Sequence, residues 1–426
     1  MFWLIETKEQ LREFVNQDYK EVFVELIPYH NLIHPVANDV CAVYIRPTYD
    51  SKGYMLCIDH SETLSIGKTY IEKILQHIDI VYVRDKKSFL YYFQLNKVID
   101  ISSVKSVDTQ LEPVFDVFYR LHPNKQDINK IIPISKHYET CENIYNKLQQ
   151  TILEPKPEYI KFYNKGALAF FGIEKNGIRI NKEKFFKYYE PNNESYSIFD
   201  DRIYTQYNLN TTTRRPSNAY NSINFAALKK DNHSRSSFIP QNNEFLEIDI
   251  SAYHPTLAGQ LVNYEFNSPD IHADFALLYN VDYKTAKELT FKQLYGGVFK
   301  EYQHLEFFQK VQTYIQKQWD LFNNQGYIET PISKYKFEKD KLGDMNPQKL
   351  FNYTLQNLET STNIQILLKI HKVLSGKNTK IVLYTYDSFL LDWDEDEVEE
   401  LETIKNIFKE LNLLIKINRG RNYDFK

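Results

Sequence analysis

Glu247-Ile-Asp-Ile-Ser-Ala-Tyr-His-Pro-Thr256 is the stretch on which the reading of this chain turns. Phe245, Leu246 and Ile248 predict a short strand that carries Asp249 to its end, after which the chain turns into a helix. A single Asp in that position is most often a turn residue or a helix cap. A second stretch changes the weighting. Lys380-Ile-Val-Leu-Tyr-Thr-Tyr-Asp-Ser-Phe-Leu-Leu-Asp392 predicts a hairpin of two β-rich runs with Asp387 at its tip. Two acids delivered by distant strands, each beside bulky apolar residues, are able to hold a pair of Mg²⁺ ions, a common device for phosphoryl transfer.

Between the two acids lie further patterned residues. Asp270-Ile-His272 precedes a predicted helix, Tyr283–Tyr295, ended by Gly296-Gly297. Lys287, Phe291 and Tyr295 recur every four residues and so share one helix face. For the two aromatics alone a core-facing stripe is the better reading. The lysine argues against it, because a buried, unpaired ammonium is costly. A cation, an aromatic platform and a hydroxyl in one row suit a nucleoside triphosphate. A helix over Gln348–Leu374 carries Asn352 and Gln356 one turn apart, which read equally well as solvated amides or as a hydrogen-bonding pair. Asp392–Glu400 reads as a solvated, acidic helix start.

The N-terminal 105 residues predict strands at Val22–Ile27, Val40–Ile45, Tyr54–Ile58 and Ile80–Val83, helices at Thr69–Ile78 and Lys86–Leu95, and a last strand within Lys97–Val104. That order suits an α/β unit of the ribonuclease-H-like type. Residues 121–158 are punctuated by prolines and hold a helix near Glu139–Ile152; a further helix, Glu158–Asn176, ends at Gly177. The expected division is 1–125, a connector at 126–201, and 202–426.

At 426 residues, 42% hydrophobic and 25% charged, the chain has the composition of a globular protein with room for two or three domains. A net charge of −4 provides no general attraction for nucleic acid, so any basic surface must be local. The 33 tyrosines accompany an excess of Asn, Lys and Ile, which reads as coding bias and would suit a virus or phage. Cys41, Cys57 and Cys141 have no metal-ligand spacing, and no apolar run approaches a membrane span or a signal peptide. The expectation is a cytoplasmic protein, in host cytoplasm if viral, with no membrane contact.

The order of these motifs resembles DNA polymerase family A, the group of bacterial polymerase I and many phage replicases, over residues 158–426. Thr213-Arg-Arg215-Pro-Ser217 and Asn221-Ser-Ile-Asn224 are similar to the family's Thr-x-Thr-Gly-Arg-Leu-Ser and Asn-Leu-Gln-Asn. Asp249-Ile-Ser-Ala-Tyr253-His254-Pro is similar to the first palm motif, and Asp270-Ile-His272 is unchanged from the family's. Lys287, Phe291, Tyr295 and Gly296 match the fingers helix, and Gly326-Tyr-Ile-Glu-Thr330 precedes Asn352 and Gln356 as in the family. Tyr386-Asp387-Ser388 matches the second palm motif, and Gly420-Arg-Asn-Tyr423 the closing Gly-x-Asn-Trp.

The resemblance implies a mixed α+β fold, a right-hand polymerase palm and fingers preceded by a ribonuclease-H-like exonuclease-type α/β domain. It implies template-directed addition of dNTPs to a primer on primer-template DNA, with two Mg²⁺ (or Mn²⁺) ions held by Asp249, Asp387 and the Ile250 carbonyl. Lys287, Lys284 and His272 would meet the phosphates, and Phe291 and Tyr295 the sugar, base and templating position. His254 or Tyr253 would lie beside the sugar. Arg215, Asn221, Asn224, Asn352, Gln356 and Tyr386 would contact DNA.

The departures are specific. Tyr283 stands where the family has Arg, His254 where it has the Glu that helps to exclude ribonucleotides, and Tyr386 and Ser388 flank Asp387 where it has His and Glu. Only about 30 residues separate Asn181 from Thr211, so the thumb should be nearly absent, duplex affinity low, and a processivity partner required. Phe23-Val-Glu25-Leu-Ile27 offers at most one of the two acids of the nuclease's first strand, so the N-terminal unit should lack proofreading. RNA synthesis by an RNA polymerase or primase-like enzyme, a non-catalytic primer-template-binding subunit, and a metal nuclease remain the alternatives.

Overall fold

The structure, a computed structural model, describes residues 3–29, 34–105, 107, 132–189, 198–218, 223–229 and 233–425. The chain forms two compact units, Met1–Phe171 with Glu194–Asp200, and Gly172–Asn193 with Asp201–Lys426. The division thus falls inside a helix, at Phe171/Gly172, where the sequence reading sets a connector extending to residue 201.

The first unit is built on a six-stranded sheet. Its strands are β1 (Leu4–Ile5), β2 (Glu21–Pro28), β3 (Val40–Pro47), β4 (Tyr54–Cys57), β5 (Ile80–Val83) and β6 (Val98–Asp100), in the spatial order β1-β4-β3-β2-β5-β6. The pairs β2–β3 and β3–β4 are antiparallel, whereas β2–β5, β5–β6 and β1–β4 are parallel. Alternation along β2 sends Val22 and Val24 to one core and Phe23 and Ile27 to the other. The first core is closed by helices α1 (Lys8–Asn16), α2 (Lys68–His77) and α3 (Lys86–Tyr92) through Phe14, Ile71, Leu75 and Phe89. The second is closed by α4 (Ile134–Leu153), whose Tyr138, Cys141, Tyr145, Leu148 and Ile152 recur at helical spacing.

Two expectations need adjusting here. The last strand ends at Asp100 instead of continuing to Val104, because the Asp100 carboxylate accepts from the Ser102 N–H at 2.9 Å and turns the chain. Helix α4 starts five residues earlier than the Glu139 start read from the sequence, directly after Pro133. All three cysteines are free and buried.

Helix α5 (Tyr159–Glu174) crosses into the second unit, and Gly177 follows it at φ +61°. A β-carbon on Gly172, near its end, would stand 2.6 Å from the His371 ring, which would have to shift to admit a side chain there. Between Asn181 and Thr211 the helix among the described residues is α6 (Lys182–Tyr188). The unit's central sheet has four antiparallel strands in the order β8-β9-β7-β10: β7 (Glu244–Ile250), β8 (Lys380–Thr385), β9 (Ser388–Trp393) and β10 (Ile415–Gly420). Helices α7 (Tyr253–Leu261), α8 (Ile271–Tyr279), α9 (Tyr283–Gly296), α10 (Glu306–Gln325), α11 (Pro347–Val373) and α12 (Val398–Glu410) complete it.

Asp392 is a correction to the solvated acidic start. It lies in β9, 4% exposed, and accepts from the backbone N–H groups of Gln241 and Asn242 at 2.9 Å each, with burial pushing its carboxyl up. The helix begins only at Val398. Helix α11 is polar yet buried in its middle: Asn357, Glu359, Thr360, Ser361, Thr362 and Asn363 are all inside. Such a run folds only if each group is satisfied, and those partners build the site.

Candidate active site

Asp249 is the last residue but one of β7, and Asp387 sits in the two-residue turn between β8 and β9. Tyr386 makes that turn possible by adopting φ +63°, held by a 2.7 Å hydrogen bond from Asn363 Nδ2 to its carbonyl. Pairing of β7 with β9 sets Asp249 opposite Ser388, and the Ile250 N–H donates to the Asp387 carbonyl at 2.8 Å. The two acids are therefore neighbours at one end of the sheet. After Ile250 the chain turns sharply through Ala252 at φ +49° into α7. Burial, then the charge of Glu359, pushes the Asp387 carboxyl up, while Arg215 and His254 act in the opposite direction. Among the described residues no three His, Cys, Asp or Glu side chains form a metal cluster, so an ion here would rely on two carboxylates and backbone oxygen.

The predicted face of α9 forms. The rings of Phe291 and Tyr295 stack at 5.9 Å with 9° between their planes, and His272, on α8, lies 5.8 Å from Phe291. Lys287 and Lys284 are exposed and without an ion pair among the described residues. Tyr283 donates through its hydroxyl to Asp270, the residue that caps α8. His272 is 4% exposed, and neither ring nitrogen has a partner among the described residues. Burial, reinforced by the charges of Lys287 and Lys416 over the opposing pull of Asp270, brings its pKa down to about 4, so it stands neutral near pH 7.

His254, on α7 directly after β7, links α9 to α11. Its Nδ1 lies 2.6 Å from the Tyr295 hydroxyl, and its Nε2 bonds to the Glu359 carboxylate. The same carboxylate accepts from Arg215 Nε at 3.2 Å, and the Arg215 guanidinium lies 3.8 Å from the centre of the Tyr386 ring. Tyr253 is placed differently from its neighbour: it is 4% exposed and donates to Asn363 Oδ1 at 2.8 Å, so its hydroxyl faces the core.

The amides of α11 hold adjacent elements. Asn352 donates to the Tyr295 carbonyl at 3.1 Å, and Gln348 donates to the Leu294 carbonyl. Gln356 accepts from Thr213 Oγ1 at 3.0 Å, and Asn357 donates to the Thr213 carbonyl at 3.2 Å. These bonds pin the loop 211–215, in which Arg214 adopts φ +62°. Asn224 is exposed at the start of a short 3₁₀ turn, and Asn221 lies outside the described residues. Glu359, Asn363, Gln348 and Lys416 went unnoticed in the sequence. Glu359 alone left a trace, standing three residues beyond Gln356 on the face already marked by Asn352 and Gln356.

The first unit holds its own strand-borne acid. Glu25 points to the face covered by α4 and takes a two-pronged ion pair from Arg84, at 2.7 and 2.8 Å. Asp85 caps α3, and Asp100 is raised to about 6 by burial and by Asp85, despite the hydrogen bonds it accepts.

No family model and no curated protein sequence matches the chain. Among solved structures it is similar to the polymerase domain of Pol1 from M. smegmatis, determined in complex with a DNA primer-template and dNTP, with a TM-score of 0.73 at 13% identity, covering 100% of both chains. The chain therefore has the fold of a polymerase domain. No described helix is long and apolar enough to cross a membrane.

Proposed function

We propose that this chain is a template-directed DNA polymerase of the family A type, adding dNTPs to a primer 3′ end. One observation carries the reading: Asp249 and Asp387 are joined through the Ile250–Asp387 hydrogen bond, and α7, which follows β7 directly, is tied through His254 to Tyr295 of the Lys287–Phe291–Tyr295 helix. Two carboxylates and the Ile250 carbonyl are an all-oxygen donor set that suits Mg²⁺, or Mn²⁺. Burial, and after it the charge of Glu359, disfavours the ionised Asp387 carboxylate, a penalty of the kind a divalent cation relieves. Bound there, the ions would supply activation of the primer hydroxyl and neutralisation of the departing pyrophosphate.

The chain's own residues do the positioning. Lys287 meets the phosphates as an exposed point charge, and His272 offers them a ring that now has no partner. Phe291 and Tyr295 present a stacked platform to base and sugar. Arg215, Asn224 and Gln356 reach acceptors present in the minor groove of every base pair, which checks pair shape without reading sequence.

The first unit is an exonuclease-like scaffold of the ribonuclease-H type without proofreading. Its sheet order, with β3 antiparallel to its neighbours, supports the architecture. The closure of Glu25 by Arg84 supports the loss of chemistry. The short stretch from Asn181 to Thr211, with α6 as its described helix, supports a reduced thumb and dependence on a processivity partner.

Primer extension on a primed template with Mg²⁺, supplied separately with dNTPs and rNTPs, tests the reading. Wild type should extend with dNTPs, and Asp249→Ala or Asp387→Asn should lose at least ~10³-fold in rate while still binding primer-template. Extension with rNTPs alone would make the enzyme an RNA polymerase. No extension with either class rejects catalysis.

A further inference from the structure

The sheet face that carries Asp249 also carries a cation. β10 runs antiparallel to β7 with Glu247 opposite Asn418 and Asp249 opposite Lys416. Directly opposed residues of an antiparallel pair leave the sheet on the same side. The first pair makes this visible, since Asn418 Nδ2 donates to Glu247 Oε2 at 2.9 Å. Two residues along, Lys416 leaves that side next to Asp249.

A lysine opposite an aspartate is ordinarily a cross-strand ion pair. Here Lys416 is exposed and makes no ion pair or hydrogen bond among the described residues. Its charge and that of Lys287 both act on His272. Two exposed ammonium groups from different elements, one on the strand beside Asp249 and one on a helix, thus lie within electrostatic range of a buried imidazole whose nitrogens have no partner among the described residues. Like charges gathered round an unsatisfied polar ring are unfavourable by themselves and become favourable around an anion with several oxygens.

We propose that Lys416, with Lys287 and His272, binds the phosphate chain of the incoming nucleotide, so that the site takes one cation from the sheet and one from the helix. The inference rests on the nucleotidyl-transfer reading. Lys416 makes and breaks no bond in it; it neutralises phosphate oxygens in the bound nucleotide and in the pyrophosphate that leaves.

The test compares wild type, Lys416→Ala and Lys416→Arg in single-nucleotide incorporation with Mg²⁺, using inorganic tripolyphosphate as a competing ligand. Lys416→Ala should raise the KM for dNTP and the inhibition constant of tripolyphosphate about tenfold, equal to ~1.4 kcal/mol. Primer-template affinity should change less than about twofold, and Lys416→Arg should recover most of the loss. An active Lys416→Ala enzyme with unchanged KM and inhibition constant overturns the proposal, as does a loss confined to primer-template affinity. If wild type incorporates no nucleotide, the polymerase reading fails instead. Calorimetric binding of tripolyphosphate then judges the anion site: binding weakened in Lys416→Ala supports it, and equal or absent binding overturns it.

Discussion

Glu25 in the first unit and Asp387 in the second are both acids set beside a sheet, yet they are surrounded in opposite ways. Glu25 is met head-on by Arg84, which takes both carboxylate oxygens. Around Asp387 the nearby donors are already bound elsewhere: Arg215 and His254 both bond to Glu359 and act on Asp387 only through their fields. An acid with its own guanidinium needs no metal, and inserting one would first require breaking a charged, two-pronged hydrogen bond. On the proposed reading, an acid whose neighbours are occupied, next to a second acid, would keep its affinity for a divalent ion. What would separate a scaffold from a reactive pocket is then the arrangement of counter-charges, more than the presence of carboxylates.

The sharpest way to break this comparison is to remove Glu359. It is 1% exposed and holds two donors at once. Glu359→Ala removes the partner of the half-buried Arg215 and frees His254, and should lower stability by about 3 kcal/mol. The freed guanidinium should turn towards Asp387 and weaken metal binding. Thermal denaturation, together with the Mg²⁺ concentration giving half-maximal extension, measures both effects. Glu359→Gln keeps the shape and one acceptor, so a similar rise in the Mg²⁺ requirement with a smaller stability loss would identify charge, not packing, as the cause. An unchanged Mg²⁺ requirement in both variants would remove Glu359 from the account.

The converse change is to open Glu25. Arg84→Ala removes its partner and should cost about 1–3 kcal/mol, less than at Glu359, because both side chains keep some contact with solvent. Neither wild type nor Arg84→Ala should release nucleotides from a 3′-mismatched primer, since Phe23-Val-Glu25-Leu-Ile27 offers only one acid where the nuclease's first strand needs two. Mismatch removal by wild type that Glu25→Ala abolishes would show that the unit still proofreads.

How much of this was legible in the chain follows from the kind of signal each residue leaves. Asp249 and Asp387 were readable because strands and a hairpin announce themselves by β-rich runs of apolar residues, and the turn between β8 and β9 falls where the pattern breaks. The face of α9 was readable from a four-residue period. The run Asn-Leu-Glu-Thr-Ser-Thr-Asn over 357–363 was not, because a polar helix interior has the pattern of a solvated one, and only its partners reveal burial. Asp392 misled in the same way, being an acid in an acidic stretch that is satisfied by two backbone N–H groups. Lys416 has no local signal at all, because its meaning comes from the register of β10 against β7.

The smallest effect expected contrasts a paired interior with an unpaired one. In the first unit Glu25 meets its counter-charge, whereas His272 in the second is held neutral by burial, with Lys287 and Lys416 adding to the effect. Its pKa in the folded chain, about 4, lies below the ordinary value of 6.5, so the unfolded chain takes up the proton first as pH falls. Stability contributed by neutral His272 is therefore complete above about pH 6.5 and is lost as pH falls from there through 4. Allowing for solvent screening the loss should be on the order of 1–2 kcal/mol. His272→Asn, which does not titrate, should flatten the fall in melting temperature over that window relative to wild type. The same slope in both proteins would mean that the ring is as readily protonated in the fold as out of it, and the two interiors would then differ only in their partners and not in their charge.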